Sequence, residues 1–135
     1  MPELPFPDEL RDLLRKPNPS VVATLRKDGQ PVSVATWYLL EDDDRVLLNM
    51  DHTRVRLQHL RRDPRLSLTV LDEADWYTHV SLQGRIVEMA DDTELTDIDR
   101  LSTHYGGSPY PDRQSPRVSA WMQIDRWHGW GAAKS

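Results

Sequence analysis

The sequence contains no cysteine, only one phenylalanine, and no apolar run near the roughly eighteen residues that a membrane-spanning helix needs. The lack of cysteine excludes disulfide bonds, cysteine-ligated metals and thiol catalysis. The first residues show no signal-peptide pattern, so we expect a cytoplasmic protein without a membrane partner. Positive charge is also scarce. The 17 lysines and arginines face 22 acidic residues, and the net charge of −5 argues against a nucleic-acid partner.

What the sequence does contain is the composition of one folded domain. It has 135 residues, of which 38% are hydrophobic and 29% charged, a balance typical of a globular protein rather than a disordered one. Five tryptophans are many for this length, and large aromatic side chains are enriched at interfaces and in ligand-binding walls. We therefore predict a single domain over residues 1–135, with a ligand or a second chain against some of its tryptophans.

Hydrophobic periodicity predicts a mainly β (α+β) fold. The predicted strands are residues 20–26, 31–40, 45–50, 65–72, 77–90 and 117–126, and the predicted helices are residues 7–15, 54–62 and 91–104. Six strands joined by short turns, with one inserted helix and one late helix, predict a small antiparallel barrel capped by short helices. Residues 1–19 would form the N-terminal helix and lead-in, and residues 20–130 the barrel.

The sequence also predicts several details of the barrel. Gly29 is free to take a positive φ in the first hairpin turn, and Gly84 is placed to form a β-bulge. Along residues 31–40 the alternation puts Val32 and Tyr38 on one face, with Val34 and Thr36 between them. A small barrel fills its interior with side chains, so a ligand is expected on its outside or against a neighbouring chain.

The most distinctive segment is residues 49–65, which concentrates positive charge on an acidic chain. Its five arginines are Arg54, Arg56, Arg61, Arg62 and Arg65. If Thr53 is the N-cap, Arg54 and Arg56 lie in the first turn of a helix whose N–H groups and positive end suit a phosphate. The alternative is a solvated basic helix, with Arg61, Arg62 and Arg65 paired to Asp63 or to residues 42–44.

Several modest motifs occur in a fixed order along the chain. Asp28, Gly29 and Pro31 form an Asp-Gly-x-Pro hairpin after the strand at residues 20–25. Trp37 and Tyr38 follow, then Leu-Arg-Arg-Asp-Pro-Arg at residues 60–65, and finally Gly-Trp-Gly at residues 129–131. In this order and spacing, over roughly residues 8–130, the sequence resembles the pyridoxamine-phosphate-oxidase-like split-barrel flavin and deazaflavin oxidoreductases. It is most similar to the deazaflavin-dependent branch.

The resemblance implies a six-stranded antiparallel split β-barrel that forms a homodimer with two cofactor sites at the interface. The candidate cofactor-binding residues are Val32, Ser33, Ala35, Thr36, Trp37, Tyr38, Asn49, Met50, His52, Thr53, Arg54, Arg56, Arg61, Trp76, Tyr77 and Trp127. Residues 32–38 would lie along the cofactor ring, and residues 49–53 along its ribityl chain. Arg54 and Arg56 would grip a phosphate. Trp76 and Tyr77 of the second protomer would wall the ring or substrate cavity, with residues 127–130 nearby.

The resemblance leaves two cofactors open, coenzyme F420 and FMN. FMN ends in one phosphate, whereas F420 continues into a phosphodiester, a lactyl group and an oligoglutamate tail, which five arginines suit better. We therefore expect an F420-dependent oxidoreductase that transfers a hydride between the deazaflavin and a small electron-poor organic substrate. The alternatives are an FMN-dependent oxidoreductase and a non-enzymatic flavin or haem carrier on the same barrel.

Acid–base and metal chemistry are poorly marked in the sequence. There is no Ser/His/Asp set, no His-Glu-x-x-His motif and no pair of carboxylates at metal-ligand spacing, so we expect no metal site. If the reaction needs an acid, the candidates are Tyr38, His79 and His104, and the catalytic residues stay unassigned. After residue 131 the sequence lacks the arginines that grip the vitamin phosphate in true pyridoxamine-phosphate oxidases, so we do not expect vitamin B6 oxidation.

Overall fold

In a computed structural model, which describes residues 3–134, the chain forms one seven-stranded antiparallel sheet with three short helices. The elements are α1 (Asp8–Leu14), β1 (Ser20–Leu25), β2 (Pro31–Ala35), β3 (Leu39–Leu40), β4 (Val46–Asp51), α2 (Val55–Arg62), β5 (Arg65–Leu71), β6 (His79–Asp91), α3 (Thr96–Gly106) and β7 (Arg117–Trp130). Within this range no helix is long and apolar enough to cross a membrane.

The strand order β2-β1-β5-β6-β7-β4-β3 closes the sheet into a split barrel. Its two edge strands, β2 and β3, are joined only by residues 36–38, so the two edges of the sheet are held close together. The mainly β barrel predicted from the periodicity is confirmed, as is the Gly29 turn, where φ is +87°. The bulge at Gly84 is confirmed too. The β6–β7 register shifts between Gln83 and Gly84, and a Cβ at Gly84 would lie 1.8 Å from the Gln123 carbonyl oxygen.

The predicted strand at residues 31–40 is wrong in one respect, because it is two strands, β2 and β3. The β1–β2 ladder ends at Ala35, and Tyr38 turns inward until none of its surface is exposed. Its hydroxyl donates to the Leu14 carbonyl oxygen at 2.7 Å, while Val32 and Val34 remain 37% and 38% exposed. Tyr38 therefore does not share a face with these valines. Residues 36–38 instead form a link that borders the site described below.

Helix α2 packs on the barrel through Leu57, His59 and Leu60, with the His59 ring Nδ1 2.9 Å from Thr24 Oγ1. The prediction that Thr53 caps this helix is wrong. The N-cap is Arg54, without a side-chain cap, and the Thr53 hydroxyl donates to Asp51 Oδ1 at 2.7 Å. The nearby carboxylate accepts the hydrogen bond from this hydroxyl. Among residues 3–134, the backbone N–H groups of Val55 and Arg56 in the first turn of α2 have no partner.

Helix α3 begins at Thr96. The acidic run at residues 91–94 predicts that the helix begins five residues earlier, at residue 91. The helix begins later because Asp92 is buried and accepts hydrogen bonds from the backbone N–H groups of Asp97 (3.1 Å) and Ile98 (2.9 Å). It therefore caps the helix from outside. Ile98 and Leu101 then pack against Leu47 in a small cluster apart from the main barrel core. This places one face of α3 beside the link at residues 36–38.

Candidate functional site

A cavity of about 720 Å³ lies between the start of β1, the link at residues 36–38, helix α3 and the first turn of α2. One wall is aromatic. The rings of Trp37 and Tyr105 are stacked with centroids 5.3 Å apart and an interplanar angle of 10°, and Tyr110 meets Trp37 edge-on at 6.2 Å. An apolar wall in a cavity of this size suits a planar ring of cofactor dimensions.

The lining of the same cavity also contains three arginines, Arg54, Arg56 and Arg117. Among residues 3–134, none of the three forms an ion pair with a carboxylate. Burial, followed by the positive charges of Arg54 and Arg117, lowers the pKa of the Arg56 guanidinium. The cavity therefore holds a cluster of positive charge that no direct ion pair neutralises within the described residues, although Glu73 lies on its lining and the charge of Arg117 contributes to the lowered pKa of Asp51. Such a cluster suits an anionic group.

The structure brings together part of the predicted site. Six of the predicted residues line this cavity: Ala35, Thr36, Trp37, Asn49, Arg54 and Arg56. His52 and Arg61 line a second, more polar cavity of about 480 Å³, and Arg117 belongs to the lining of both. Arg62 points elsewhere, because its guanidinium donates to the Leu25 carbonyl oxygen at 3.0 Å. Arg65 pairs with Asp63 at 2.7 Å, as the alternative interpretation expected.

Three predicted residues are in the core instead. Tyr38 is fully buried, and Met50 and Trp127 are 1% and 4% exposed. Their side chains lie outside the lining of the cavity, and the Tyr38 hydroxyl is bound to Leu14 and also accepts from Asn18 Nδ2 at 3.0 Å. A tyrosine that anchors the N-terminal segment of the chain explains the inward turn of the link better.

Other predicted residues lie on the surface outside the lining of the cavity. Val32, Ser33 and Thr53 are exposed, and Trp76 and Tyr77 are 70% and 61% exposed in the loop before β6. Trp76 and Tyr77 are predicted to contact the cofactor site of a second protomer. The structure of a single chain does not test this, so their roles remain predictions.

The histidine candidates for an acid also lie outside the lining. His79 is stacked on Trp130 with centroids 4.5 Å apart, and its Nδ1 lies 2.7 Å from the Tyr77 carbonyl oxygen. His104 lines a separate cleft on the outer face of α3. No three His, Asp or Glu side chains gather into a possible metal site anywhere in the described range.

Sequence reasoning missed Tyr105, Tyr110 and Arg117. Arg117 is the first residue of β7, and the β4–β7 register pairs it with Asp51, which is two residues from Asn49 on β4. Local sequence patterns do not predict this strand pairing, because β4 and β7 are far apart in sequence. The tyrosines depend in the same way on where α3 and the loop after it pack.

Tyr105 lines the cavity, but its hydroxyl is already used. It donates to the Asn18 carbonyl oxygen at 2.7 Å, and burial raises its pKa to about 12. Tyr105 is therefore a neutral phenol at physiological pH, and its donor is committed to the fold. Its contribution to the cavity is the ring surface that supports Trp37.

An antiparallel split barrel whose edge carries an aromatic, arginine-lined cavity belongs to the class of folds that bind flavin-type cofactors. Residues 6–131 match the family model described as pyridoxamine 5'-phosphate oxidase, so the chain belongs to that family, as the order of motifs predicted. No functionally curated protein matches the chain in sequence.

Several solved structures share the fold. An F420 reductase has 22% identity, covers 90% of this chain and 98% of its own, and superposes with a TM-score of 0.80. The conserved hypothetical protein Rv2991 from Mycobacterium tuberculosis has 26% identity, coverage of 95% and 86%, and a TM-score of 0.72. An FAD and haem binding protein from Mycobacterium smegmatis has 18% identity, coverage of 93% and 70%, and a TM-score of 0.68.

Proposed function

We propose that this protein is an F420-dependent oxidoreductase that acts on a small, electron-poor organic substrate. The observation that carries the proposal is one cavity that holds both an aromatic wall and three arginines, which have no carboxylate partner among residues 3–134. A ligand that uses both features must combine a planar ring with a strongly anionic side chain. F420 and FMN both have this form, and the F420 reductase that shares the fold supports the first.

The residues present fit such a cofactor. The cavity volume of about 720 Å³ lies within the range of ordinary cofactor sites. Trp37 offers a ring face that Tyr105 holds in place, and Arg54, Arg56 and Arg117 offer charge-assisted donors to a phosphate. When bound, the cofactor supplies the hydride chemistry, and the protein binds it, orients it and excludes water.

The second cavity favours the longer cofactor. It shares Arg117 with the first and adds Arg61 and His52, so an anionic chain could pass from the phosphate seat into it. FMN ends at its phosphate and would leave this second cavity unused. Asp91 and Asp92 also line it, but Asp92 is buried and committed to capping α3. FMN remains the alternative, and a carrier without catalysis is the second alternative.

A second copy of the chain would complete the site. Every residue of β2 is exposed, including Val32 and Val34, and the indole of Trp37 at the cavity edge is 37% exposed. An edge strand with this much exposed apolar surface is normally covered. We therefore expect a homodimer that buries upwards of about 2,000 Å² in total.

Sedimentation velocity at micromolar concentration checks the assembly. Wild-type protein should sediment as a dimer, and Val34→Asp should sediment as a 15.7 kDa monomer. The matched control is Thr103→Asp on the exposed side of α3, which should stay dimeric. A wild-type monomer would refute the shared-site model.

Purification from a host that makes F420 tests the cofactor and the reaction. The visible absorption of the co-purified chromophore should be that of the deazaflavin, and protein supplied with reduced F420 should convert an acceptor that has an activated C=C bond. Bound FMN would select the flavin alternative. A tightly bound chromophore without turnover would select the carrier, and the absence of both chromophores would contradict the proposal.

A further inference from the structure

Arg117 differs from the other two arginines of the cavity because the fold holds its guanidinium on two sides. Its Nε donates to Asn49 Oδ1 at 2.7 Å, and its Cζ lies 4.8 Å from the centroid of the Tyr110 ring. Within residues 3–134 its terminal nitrogens make no hydrogen bond. Arg117 is therefore fixed through its Nε and its flat face, while the two nitrogens that could form a fork around an anion are unused.

Asn49 fixes this arginine and is itself fixed from behind. The side chain is 6% exposed, and its Nδ2 donates to Asp92 Oδ2 and to Ser119 Oγ, both at 3.1 Å. Only one orientation of the amide satisfies these partners, because the nitrogen must face the two acceptors and the oxygen must then face Arg117. The position of the guanidinium follows from this buried network.

Asn49 also stands between Arg117 and two carboxylates at the start of α3, Asp92 and Asp97. Asp92 receives the backbone N–H groups at the start of α3, and Asp97 accepts from Ser119 Oγ at 2.7 Å. Both acids lie on the far side of the Asn49–Ser119 pair. A neutral amide occupies the place where an aspartate would form a direct ion pair with Arg117 and cancel its charge.

We propose that Arg117 is an anion-binding residue of this cavity, and that Asn49 is its positioning residue, which fixes the guanidinium without neutralising it. The ligand group is a phosphate or phosphodiester, whose oxygens a planar fork of donors can bind with two parallel hydrogen bonds. The assignment of that anion to a bound cofactor depends on the proposed function. The binding of the anion to Arg117 does not.

Inorganic pyrophosphate is the probe that tests the arginine directly. Titrated into full-length protein labelled with ¹⁵N, it should shift the Nε–H signals of Arg54, Arg56 and Arg117 and leave that of Arg45, which is paired with Asp43 and Glu88, in place. Arg117→Gln should weaken pyrophosphate binding by roughly tenfold or more, the loss expected for a charge-assisted hydrogen bond. Arg45→Gln, the matched control, should bind like the wild type.

Two substitutions at Asn49 test the positioning role. Asn49→Asp should weaken pyrophosphate binding as much as Arg117→Gln, because the carboxylate would pair with Arg117 directly. Asn49→Ala should weaken it less and broaden the Nε–H signal of Arg117, with the signal of Arg45 unchanged. Since two adjacent carboxylates could prevent Asn49→Asp from folding, Asn49→Ala and Arg117→Gln decide the question in that case.

Riboflavin, which carries the ring without a phosphate, separates this inference from the proposed function. Binding of riboflavin should be the same in wild type, Arg117→Gln and Asn49→Ala. Pyrophosphate binding that fails to depend on Arg117, or that is absent from the wild type, would overturn the inference. If pyrophosphate binding depends on Arg117 while neither riboflavin nor F420 binds, the inference stands and the proposed function falls.

Discussion

Two groups of arginines in this protein differ in what faces them. On the outside of the barrel and on α3, arginines meet carboxylates directly. These pairs are Arg11–Asp44, Arg45–Glu88, Arg100–Glu41 and Arg113–Asp99. In the cavity, Arg54, Arg56 and Arg117 meet none within the described residues. On a chain with 22 acidic residues, ion pairing is the common outcome, so three arginines without a carboxylate pair in one cavity point to a binding site.

The two groups also respond to the fold in opposite ways. The hydrogen bond to Glu88 raises the pKa of Arg45, and the one to Glu41 raises that of Arg100. Burial and the neighbouring cations lower the pKa of Arg56. The fold thus stabilises the charge of the paired arginines and destabilises that of Arg56. A bound anion would oppose the second effect, because an opposite charge nearby favours the charged form of Arg56.

The largest effect should come from removing one arginine of each group and measuring cofactor affinity. Arg56→Ala should weaken F420 binding by about 1.5–3 kcal/mol, the range for a hydrogen bond to a charged group. Arg45→Ala should change it little, because that arginine lies outside the cavity. Fluorescence titration of the cofactor measures both. Equal losses in the two variants would remove the distinction between the groups.

Without ligand, removing a paired arginine should lower the free energy of unfolding more than removing an arginine of the cavity. Arg100→Met should lower the free energy of unfolding by up to about 1 kcal/mol, since solvent screens its partly exposed ion pair with Glu41. Arg56→Met should leave it unchanged or raise it by up to about 0.5 kcal/mol, because it relieves repulsion between like charges. Urea unfolding of the two apoproteins decides. Loss of stability in Arg56→Met larger than in Arg100→Met would mean that Arg56 is a structural residue.

A smaller effect should separate two adjacent arginines that sequence alone treated alike. Arg61 lines the second cavity, whereas Arg62 donates to a backbone carbonyl of β1. Arg61→Ala should therefore flatten the salt dependence of F420 binding, an effect of about 0–1 kcal/mol, and Arg62→Ala should not. Titrations at several salt concentrations, repeated with the phosphate-free riboside of F420, check this. Identical slopes in wild type and Arg61→Ala would leave the second cavity without a role in binding.

The smallest effect concerns a paired arginine within the arginine-rich segment. The hydrogen bond from Arg65 lowers the pKa of Asp63 to about 2. Because the pKa of Asp63 is depressed in the folded state, its pairing with Arg65 stabilises the fold at pH values above the ordinary carboxyl pKa of about 4. This stabilisation of the fold is lost as the pH falls towards 2. In Arg65→Met the carboxyl pKa, followed by NMR, should return towards its ordinary value. An unchanged pKa would show that the pair does not persist in solution.

The arginine groups also show how far the sequence could be interpreted. The barrel, α1, the Gly84 bulge and the presence of Arg54 and Arg56 at one helix start follow from local periodicity and spacing. Arg117 could not be found in that way, because it reaches the cavity through the pairing of β4 with β7. The prediction that Thr53 caps α2 was wrong because the Thr53 hydroxyl donates to Asp51 instead. The prediction that Tyr38 shares a face with Val32 was wrong because the β1–β2 ladder ends at Ala35, before the link at residues 36–38.

One binding comparison on wild-type protein tests the central claim most directly. F420 and its phosphate-free riboside share the same ring, so they differ only in the anionic part that the arginines of the cavity would bind. F420 should bind at least about tenfold more tightly than the riboside, which corresponds to about 1.4 kcal/mol, and high salt should reduce this difference in affinity. Equal affinities for the two ligands at low salt would contradict that claim.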